Sequence, residues 1–111
     1  MTPGMRIIAR RTLRDFVDSL VGHKDQPAVK AALDAWFAEA SRADWRNTAD
    51  VKRRYATASI VGSDRVAFNV KGNDYRLIVA VDFEKAILWI KWIGTHKAYD
   101  RIDASKVEYN G

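Results

Sequence analysis

Apolar residues follow a helical period in the first third of the chain. They repeat every three or four positions, as one buried face of a helix requires. The residues with this spacing are Leu13, Phe16, Val17, Leu20, Val29, Leu33, Trp36, Phe37 and Ala40. Because Gly22 interrupts the repeat, we predict two amphipathic helices, the first capped by Thr12 and the second starting near Pro27. A short apolar run, Met5–Ala9, predicts a strand before them.

The period changes to two from residue 65 onward, which is typical of half-buried β-strands. Residues 65–70 and 75–83 alternate in this way and predict a hairpin. The segment between them, Lys71–Asp74, is rich in the Gly, Asn and Asp residues that turns favour.

A third strand is predicted at residues 87–93, after a turn at 84–86. It is apolar on both faces apart from Lys91, which indicates a strand covered on both sides. Strict alternation places Trp89 and Trp92 on opposite faces, so at least one indole is expected to be partly exposed or covered by a helix. An exposed indole there would mark a binding surface. Three successive antiparallel strands and two N-terminal helices predict an α+β fold.

Composition excludes several classes of protein. The 111 residues suit one domain, 1–111, with residues 1–4 as a flexible leader, and the absence of cysteine excludes disulfides and thiolate metal sites. His23 and His96 are not spaced as metal ligands, so no metal site is expected. No apolar stretch is long enough to cross a membrane and no signal peptide is visible, so we expect a cytoplasmic protein.

Positive charge is concentrated in two segments. The net charge of +5 suits a polyanionic partner. Residues 41–55 contain five basic and two acidic side chains. Asn47 or Thr48 could cap a short helix within this segment. Arg53 and Arg54 are the candidates to contact a phosphate backbone. A solvated face without a partner is the alternative. The second concentration comprises Arg6, Arg10, Arg11 and Arg14.

Two motifs resemble the HigB-type toxins of the RelE/ParE superfamily. The first is the hairpin at residues 66–79, which contains FNVKGNDYRL, and the second is WIGTHKAYD at residues 92–100. The stretch from Trp45 to Ala58 supports the resemblance, which extends from Met5 to about Ile102.

This resemblance implies two N-terminal helices packed on an antiparallel sheet of about four strands. It also implies an endoribonuclease that cuts mRNA on the ribosome without metal or cofactor and thereby inhibits translation. The implied partners are a cognate helix-turn-helix antitoxin, mRNA and the ribosome. Operator DNA is expected only through the antitoxin complex, and no membrane partner is expected.

Metal-free RNA cleavage needs a proton acceptor, a proton donor and a cation beside the phosphate. His96 is the candidate for proton transfer, and Arg76 is the candidate phosphate ligand. Lys91 is a third candidate because it interrupts an apolar strand, as active-site cations do. Tyr99 is the candidate to stack on a base. Each has a structural alternative. His96 would bond within the Thr95–Asp100 turn, Arg76 would pair with Asp82, Lys91 would protect a sheet edge, and Tyr99 would pack the C-terminal turn.

A second group of residues is assigned to RNA binding rather than to proton transfer. Its members are Arg53, Arg54, Lys71, Asn73, Lys97 and Arg101. Two other functions stay open: a ParE-like toxin that inhibits DNA gyrase without cutting RNA, and a basic RNA-binding module without catalysis.

Overall fold

Helices and strands fill most of residues 4–108, which are the residues that a computed structural model describes. In chain order they are β1 (Arg6–Ile8), α1 (Arg10–Ser19), α2 (Gln26–Arg42), α3 (Thr48–Arg54), β2 (Ser59–Val61), β3 (Arg65–Val70), β4 (Tyr75–Asp82), β5 (Ile87–Thr95) and α4 (His96–Tyr99). The α+β class predicted from the sequence is therefore confirmed. None of the helices in this part of the chain is both long and apolar enough to span a bilayer.

The sheet has five strands in the order β1-β5-β4-β3-β2 and is mixed rather than antiparallel. Strands β2 to β5 are antiparallel neighbours, whereas β1 pairs in parallel with β5, with Arg6 opposite Ile87. The expected antiparallel sheet of about four strands is thus confirmed only in part, because β1 adds a fifth strand in parallel. Parallel pairing requires a long connection, and here the rest of the fold lies between the first strand and the last. Strand β2 has three residues, too few to produce a visible alternation.

The helix ends agree only in part with the predicted caps. Helix α1 starts at Arg10 after Ala9, a residue with φ of 73°, so Thr12 lies inside the first turn and is not the cap. Pro27 lies in the first turn of α2, as predicted. Asn47, rather than Thr48, caps α3, because its side chain accepts a hydrogen bond from the backbone N–H of Asp50.

Of residues 1–4, which were predicted to form a flexible leader, the structure describes Gly4. Residues 1–3 lie outside the described residues, but Gly4 packs against the end of α2. A Cβ at residue 4 would lie 2.6 Å from the carbonyl oxygen of Ser41, and the N–H of Met5 donates to the same oxygen over 3.2 Å. Gly4 is therefore part of the fold.

The core lies between the helices and one face of the sheet. Phe68 on β3 is fully buried at its centre, with the rings of Trp36 and Tyr55 edge-on at centroid distances of 5.5 and 5.1 Å. Trp45 stacks beside Phe68 at 6.3 Å. The sheet residues that complete this core are Val66, Val70, Tyr75, Leu77, Val79, Val81, Leu88, Ile90 and Ile93. The opposite face carries polar side chains as well as the buried residues Ala67, Ile78 and Ala80.

A β-bulge in β5 changes which side chains share that opposite face. Ile90 pairs with Val79 and Trp92 with Ile78, so Lys91 is the extra residue between them. Since Trp89 lies opposite Ala80, two positions from Ile78, both indoles are on the same face. The predicted placement of Trp89 and Trp92 on opposite faces is wrong, because one inserted residue shifts the alternation.

Candidate functional site

The candidate site lies where the β3–β4 turn meets the end of β5, on the sheet face turned away from α1 and α2. Asn69, Arg76 and Gly94 lie opposite one another on three adjacent strands. Directly opposite residues on one face are close neighbours. This row brings the two motifs of the sequence together in space.

Arg76 is the cation at the centre of this group. Its Nη1 donates to Oδ1 of Asn73 over 2.6 Å, and its guanidinium carbon lies 5.5 Å from the centroid of the Tyr99 ring. Asp82, the partner expected in the structural alternative, instead accepts a hydrogen bond from the backbone of Lys85. Arg76 is therefore oriented by a neutral amide and an aromatic ring, and its positive charge is available to an anion.

His96 and Tyr99 are placed by the short helix α4. Thr95 caps this helix by accepting the N–H of Ala98 over 3.0 Å, and the N–H of His96 donates to the carbonyl of Asp74 over 2.8 Å. The second hydrogen bond joins α4 to the β3–β4 turn. Arg76 and Asn73 belong to that turn and its return strand, so the backbone itself joins the two motifs.

The imidazole of His96 has two unlike nitrogen atoms. Nε2 lies 3.5 Å from Oδ2 of Asp100, and the side chain is 40% exposed. Nδ1 is buried and has no hydrogen-bond partner within residues 4–108. A buried nitrogen without a partner is uncommon and marks a functional group in many structures. The turn contact that sequence reasoning held as the alternative is present, but it involves only one of the two nitrogens.

Trp92 completes the group and was not among the predicted site residues. Its ring centroid lies 6.3 Å from that of Tyr99, with 53° between the planes. The indole extends over Gly94, where an added Cβ would lie 2.5 Å from Cη2. A Trp two residues before a Gly was visible in the sequence, but the bulge that directs this Trp to the site was not.

Lys71 supports the turn from the side of the helices. Its Nζ lies 2.9 Å from Asp74 and 3.6 Å from Asp25, and the hydrogen bond to Asp74 raises the pKa of Lys71. Tyr75 donates to Asp25 over 2.9 Å and thereby lowers the pKa of that carboxyl group. These contacts anchor the β3–β4 turn to the loop between α1 and α2. RNA binding by Lys71 stays a prediction.

Lys91 belongs to a different cluster, on the same face of the sheet. Its Nζ lies 3.3 Å from Glu108, and Arg65 donates to the other oxygen of that carboxylate over 3.0 Å. Burial alone would raise the pKa of Glu108, but Lys91 and Arg65 outweigh it and the pKa is lowered. Lys91 thus helps to attach the C-terminal segment to the sheet, and no contact within the described residues supports its predicted catalytic role.

The remaining predicted RNA-binding residues fall into two places. Arg53 pairs with Asp50 at 3.0 Å and Arg54 pairs with Glu39, so both lie with the helices and apart from the Arg76 group. Lys97 and Arg101 are exposed on and just after α4, and neither side chain has an ionic partner in the part of the chain that the structure describes. Of these four residues, Lys97 and Arg101 are the ones that add positive charge near α4, beside Arg76.

Other features of the surface do not point to a second centre of catalysis. A cavity of about 350 Å³ lies between α1 and α2, and none of the predicted site residues lines it. Its lining combines apolar side chains with charged ones: Leu13, Val17, Leu33 and Phe37 with Arg10, Arg14, Asp18, Lys30 and Asp34. Across residues 4–108, no three His, Asp or Glu side chains are grouped closely enough to hold a metal ion. The candidate site is therefore the group around Arg76.

Comparison with known proteins assigns the chain to a family. The HigB toxin family, whose members are RelE-like toxic components of toxin-antitoxin systems, matches residues 29–102. This range covers more than half of the chain and includes the β3–β4 turn, β5 and α4. A comparison with curated proteins gives no match. The chain therefore belongs to the HigB family of RelE-like toxins, and an antitoxin is its implied partner.

Proposed function

We propose that this toxin is an endoribonuclease that cleaves mRNA on the ribosome, without a metal ion, and so inhibits translation. The observation that carries the proposal is the orientation of Arg76, which is held by Asn73 at 2.6 Å and lies over Tyr99, on the turn to which α4 attaches His96. In this arrangement Arg76 would bind the phosphate and His96 would transfer a proton. RelE-like toxins are generally ribonucleases, which favours this chemistry over simple binding.

The reaction we propose is an internal transfer of the phosphoryl group. The 2′-hydroxyl loses its proton and attacks the adjacent phosphorus while the bond from phosphorus to the 5′-oxygen breaks. The products are a 2′,3′-cyclic phosphate and a 5′-hydroxyl group that has taken up a proton. The enzyme must stabilise the extra negative charge on the phosphate and move two protons.

Arg76 is suited to the charge on the phosphate. Its guanidinium presents several N–H donors in a planar fork, which matches two phosphate oxygens. Asn73 accepts a hydrogen bond from only Nη1, so the other N–H donors remain for the substrate. Holding a donor in place before the reaction is worth more than supplying a mobile charge, because no reorganisation is needed as the charge develops.

His96 is suited to proton transfer. Imidazole is the side chain that exchanges protons most readily near neutral pH. Asp100, 3.5 Å from Nε2, orients the ring, while Nδ1 has no partner in residues 4–108. Lys97 and Arg101 lie on and next to the same helix and add positive charge at the edge of the site. We propose that they contact the RNA backbone.

The proposal extends to the partners. A chain with a net charge of +5 approaches ribosomal and messenger RNA with electrostatic assistance. Arg53 and Arg54 are on another surface, where they would contact RNA outside the cleaved strand. We propose that the antitoxin is a helix-turn-helix protein and that operator DNA is bound only through the complex with it.

The test is induced expression in a bacterium, followed by mapping of transcript 5′ ends. Wild type is compared with His96→Ala, Arg76→Ala and the control Lys85→Ala, whose side chain lies at the opposite end of the β4–β5 hairpin. We expect new 5′ ends inside coding regions for wild type and the control, and their loss in the two site variants. Growth arrest with intact transcripts and relaxed DNA would contradict the nuclease proposal and favour gyrase inhibition.

A further inference from the structure

The indole of Trp92 lies against the backbone of Gly94, two residues further along β5. An added Cβ at residue 94 would lie 2.5 Å from Cη2 and 2.6 Å from Cζ2 of Trp92, closer than real Cβ atoms approach other groups. The backbone of Gly94 is not in the left-handed region, so an alanine is permitted there as far as φ is concerned. The glycine is therefore explained by the space that the indole occupies and not by the conformation of the chain.

This space decides where the indole lies. On the neighbouring strand, Trp92 is opposite Ile78 and Gly94 is opposite Arg76. Gly94 is therefore the next residue on the same face, in the direction of the β3–β4 turn. By extending over Gly94, the six-membered ring of Trp92 comes beside the strand position that carries Arg76. The indole also lies near Tyr99, at a ring-centroid distance of 6.3 Å.

The two rings are only partly buried, and a cation is adjacent to them. Trp92 and Tyr99 both have intermediate exposure, and neither belongs to the apolar core under the helices. The Arg76 guanidinium lies 5.5 Å from the Tyr99 ring. Aromatic side chains next to a phosphate-binding cation are the combination that proteins use to hold single-stranded nucleic acid, because every base has a flat face that stacks on an aromatic ring.

We propose that Trp92, given room by Gly94, forms with Tyr99 a platform on which one base of the RNA stacks, next to the phosphate bound by Arg76. The inference rests on the proposed function in that its ligand is the RNA strand at the cleavage site. The ring planes are tilted by 53°, which leaves no parallel gap for a base between them, so the base stacks on the exposed part of the indole. A purine overlaps more of the indole than a pyrimidine does, and we infer a preference for a purine at this position.

A binding measurement separates the platform from catalysis. The probes are two short oligouridine RNAs with 2′-deoxy sugars at the central nucleotides, which prevents cleavage, one with a central adenine and the other with an abasic site at that position. We expect wild type to bind the adenine RNA about tenfold more tightly than the abasic RNA, in line with the value of one stacked base. Trp92→Leu and Gly94→Ala should remove this difference and leave binding of the abasic RNA unchanged.

A double-mutant cycle tests the role of the glycine. If Gly94 matters only because it leaves space for the indole, Gly94→Ala weakens adenine binding in wild type but has no further effect in the Trp92→Leu variant. The control is Trp89→Phe. Trp89 lies on the same face as Trp92 but is opposite Ala80 instead of Ile78. This variant should keep the tenfold difference in affinity between the adenine RNA and the abasic RNA. Equal losses for both RNAs, additive effects in the cycle, or no adenine preference in wild type would overturn the proposal.

The two proposals fail in different ways. An adenine preference that depends on Trp92, together with intact transcripts in the cell, would refute the nuclease and leave the platform in place. Cleavage in the cell with the same flanking bases in wild type and Trp92→Leu would support the nuclease and refute the platform.

Discussion

Tyr75 donates a hydrogen bond to Asp25 over 2.9 Å, and this contact joins the first residue of β4 to the loop between the two long helices. The two residues are separated by 50 positions in the chain. Lys71 approaches the same carboxylate at 3.6 Å. The turn that holds Asn73 and leads to Arg76 is thus attached to the helical layer through one aspartate.

The stability of the protein is therefore expected to depend on the ionisation of Asp25. The hydrogen bond from Tyr75 and the charge of Lys71 hold its pKa below the ordinary value of 3.8. A lowered native pKa stabilises the fold above the unfolded value, and this contribution is lost as the pH falls through the native pKa. Asp25→Asn should reduce the free energy of unfolding near neutral pH, and the difference from wild type should shrink as the pH falls below 3.8.

Urea unfolding at several pH values measures this difference. Asp34→Asn is the matched control. Within residues 4–108 its carboxylate pairs with Lys30 alone, on an exposed helix face, and it should contribute little at any pH. A constant difference between Asp25→Asn and wild type from neutral to acidic pH would contradict the role of the charge.

Arg65 is expected to fasten the C-terminal segment to the sheet. It is buried, and it donates to the carbonyls of Ala104 and Val107 over 3.2 and 2.7 Å as well as to Glu108. Arg65→Met keeps the apolar stem but leaves these acceptors without their donor, at an expected cost of about 1–3 kcal/mol in the free energy of unfolding. Chemical denaturation checks this value, with the exposed Lys85→Met as control, and an unchanged midpoint would show that the segment does not contribute.

The cap of α3 provides a test of local structure. Asn47→Ala removes the acceptor for the Asp50 N–H, and we expect a loss of about 1 kcal/mol in the free energy of unfolding. Thr48→Ala should have a much smaller effect, because Thr48 lies inside the helix and Asn47 supplies the cap. The two variants are compared by thermal unfolding, and equal losses would indicate that capping does not stabilise α3.

The activity of the toxin should depend on the residue that orients Arg76. Asn73→Ala removes the 2.6 Å hydrogen bond to Nη1 but leaves the guanidinium present. We expect cleavage to fall roughly tenfold, less than the loss on removing a direct donor to the reacting group, which is typically 10²–10³-fold. Asn73→Ser retains an acceptor on a shorter side chain, so its cleavage rate should lie between those of wild type and Asn73→Ala. Cleavage rates in a translation reaction measure this series, and full activity of Asn73→Ala would show that Arg76 is positioned by other contacts.

Much of the local structure was predictable from the chain alone. The apolar period located α1 and α2, and the alternation together with the polar turn located the hairpin of β3 and β4. Both are consequences of neighbouring residues, since a helix or a hairpin must bury one face formed within a short segment. The motifs at residues 66–79 and 92–100 also sufficed to identify the family.

Long-range pairing was not predictable in the same way. The parallel contact of β1 with β5 joins the two ends of the fold, and a three-residue strand such as β2 has no period of its own. The bulge at Lys91 is a property of two strands in register, so the sequence of β5 alone suggested that Trp89 and Trp92 were on opposite faces. The same register determined which indole reaches the site.

The sequence by itself determined the helices, the hairpin, the excess of positive charge and the candidate residues for RNA chemistry, because these depend on residue type and local spacing. Only the tertiary structure decided which of those residues act together. It placed Arg76 with Asn73, Tyr99 and Trp92, and it placed Lys91 with Arg65 and Glu108. The physical reason is that the partner of a side chain is set by strand register and by the packing of distant segments, which no local pattern contains.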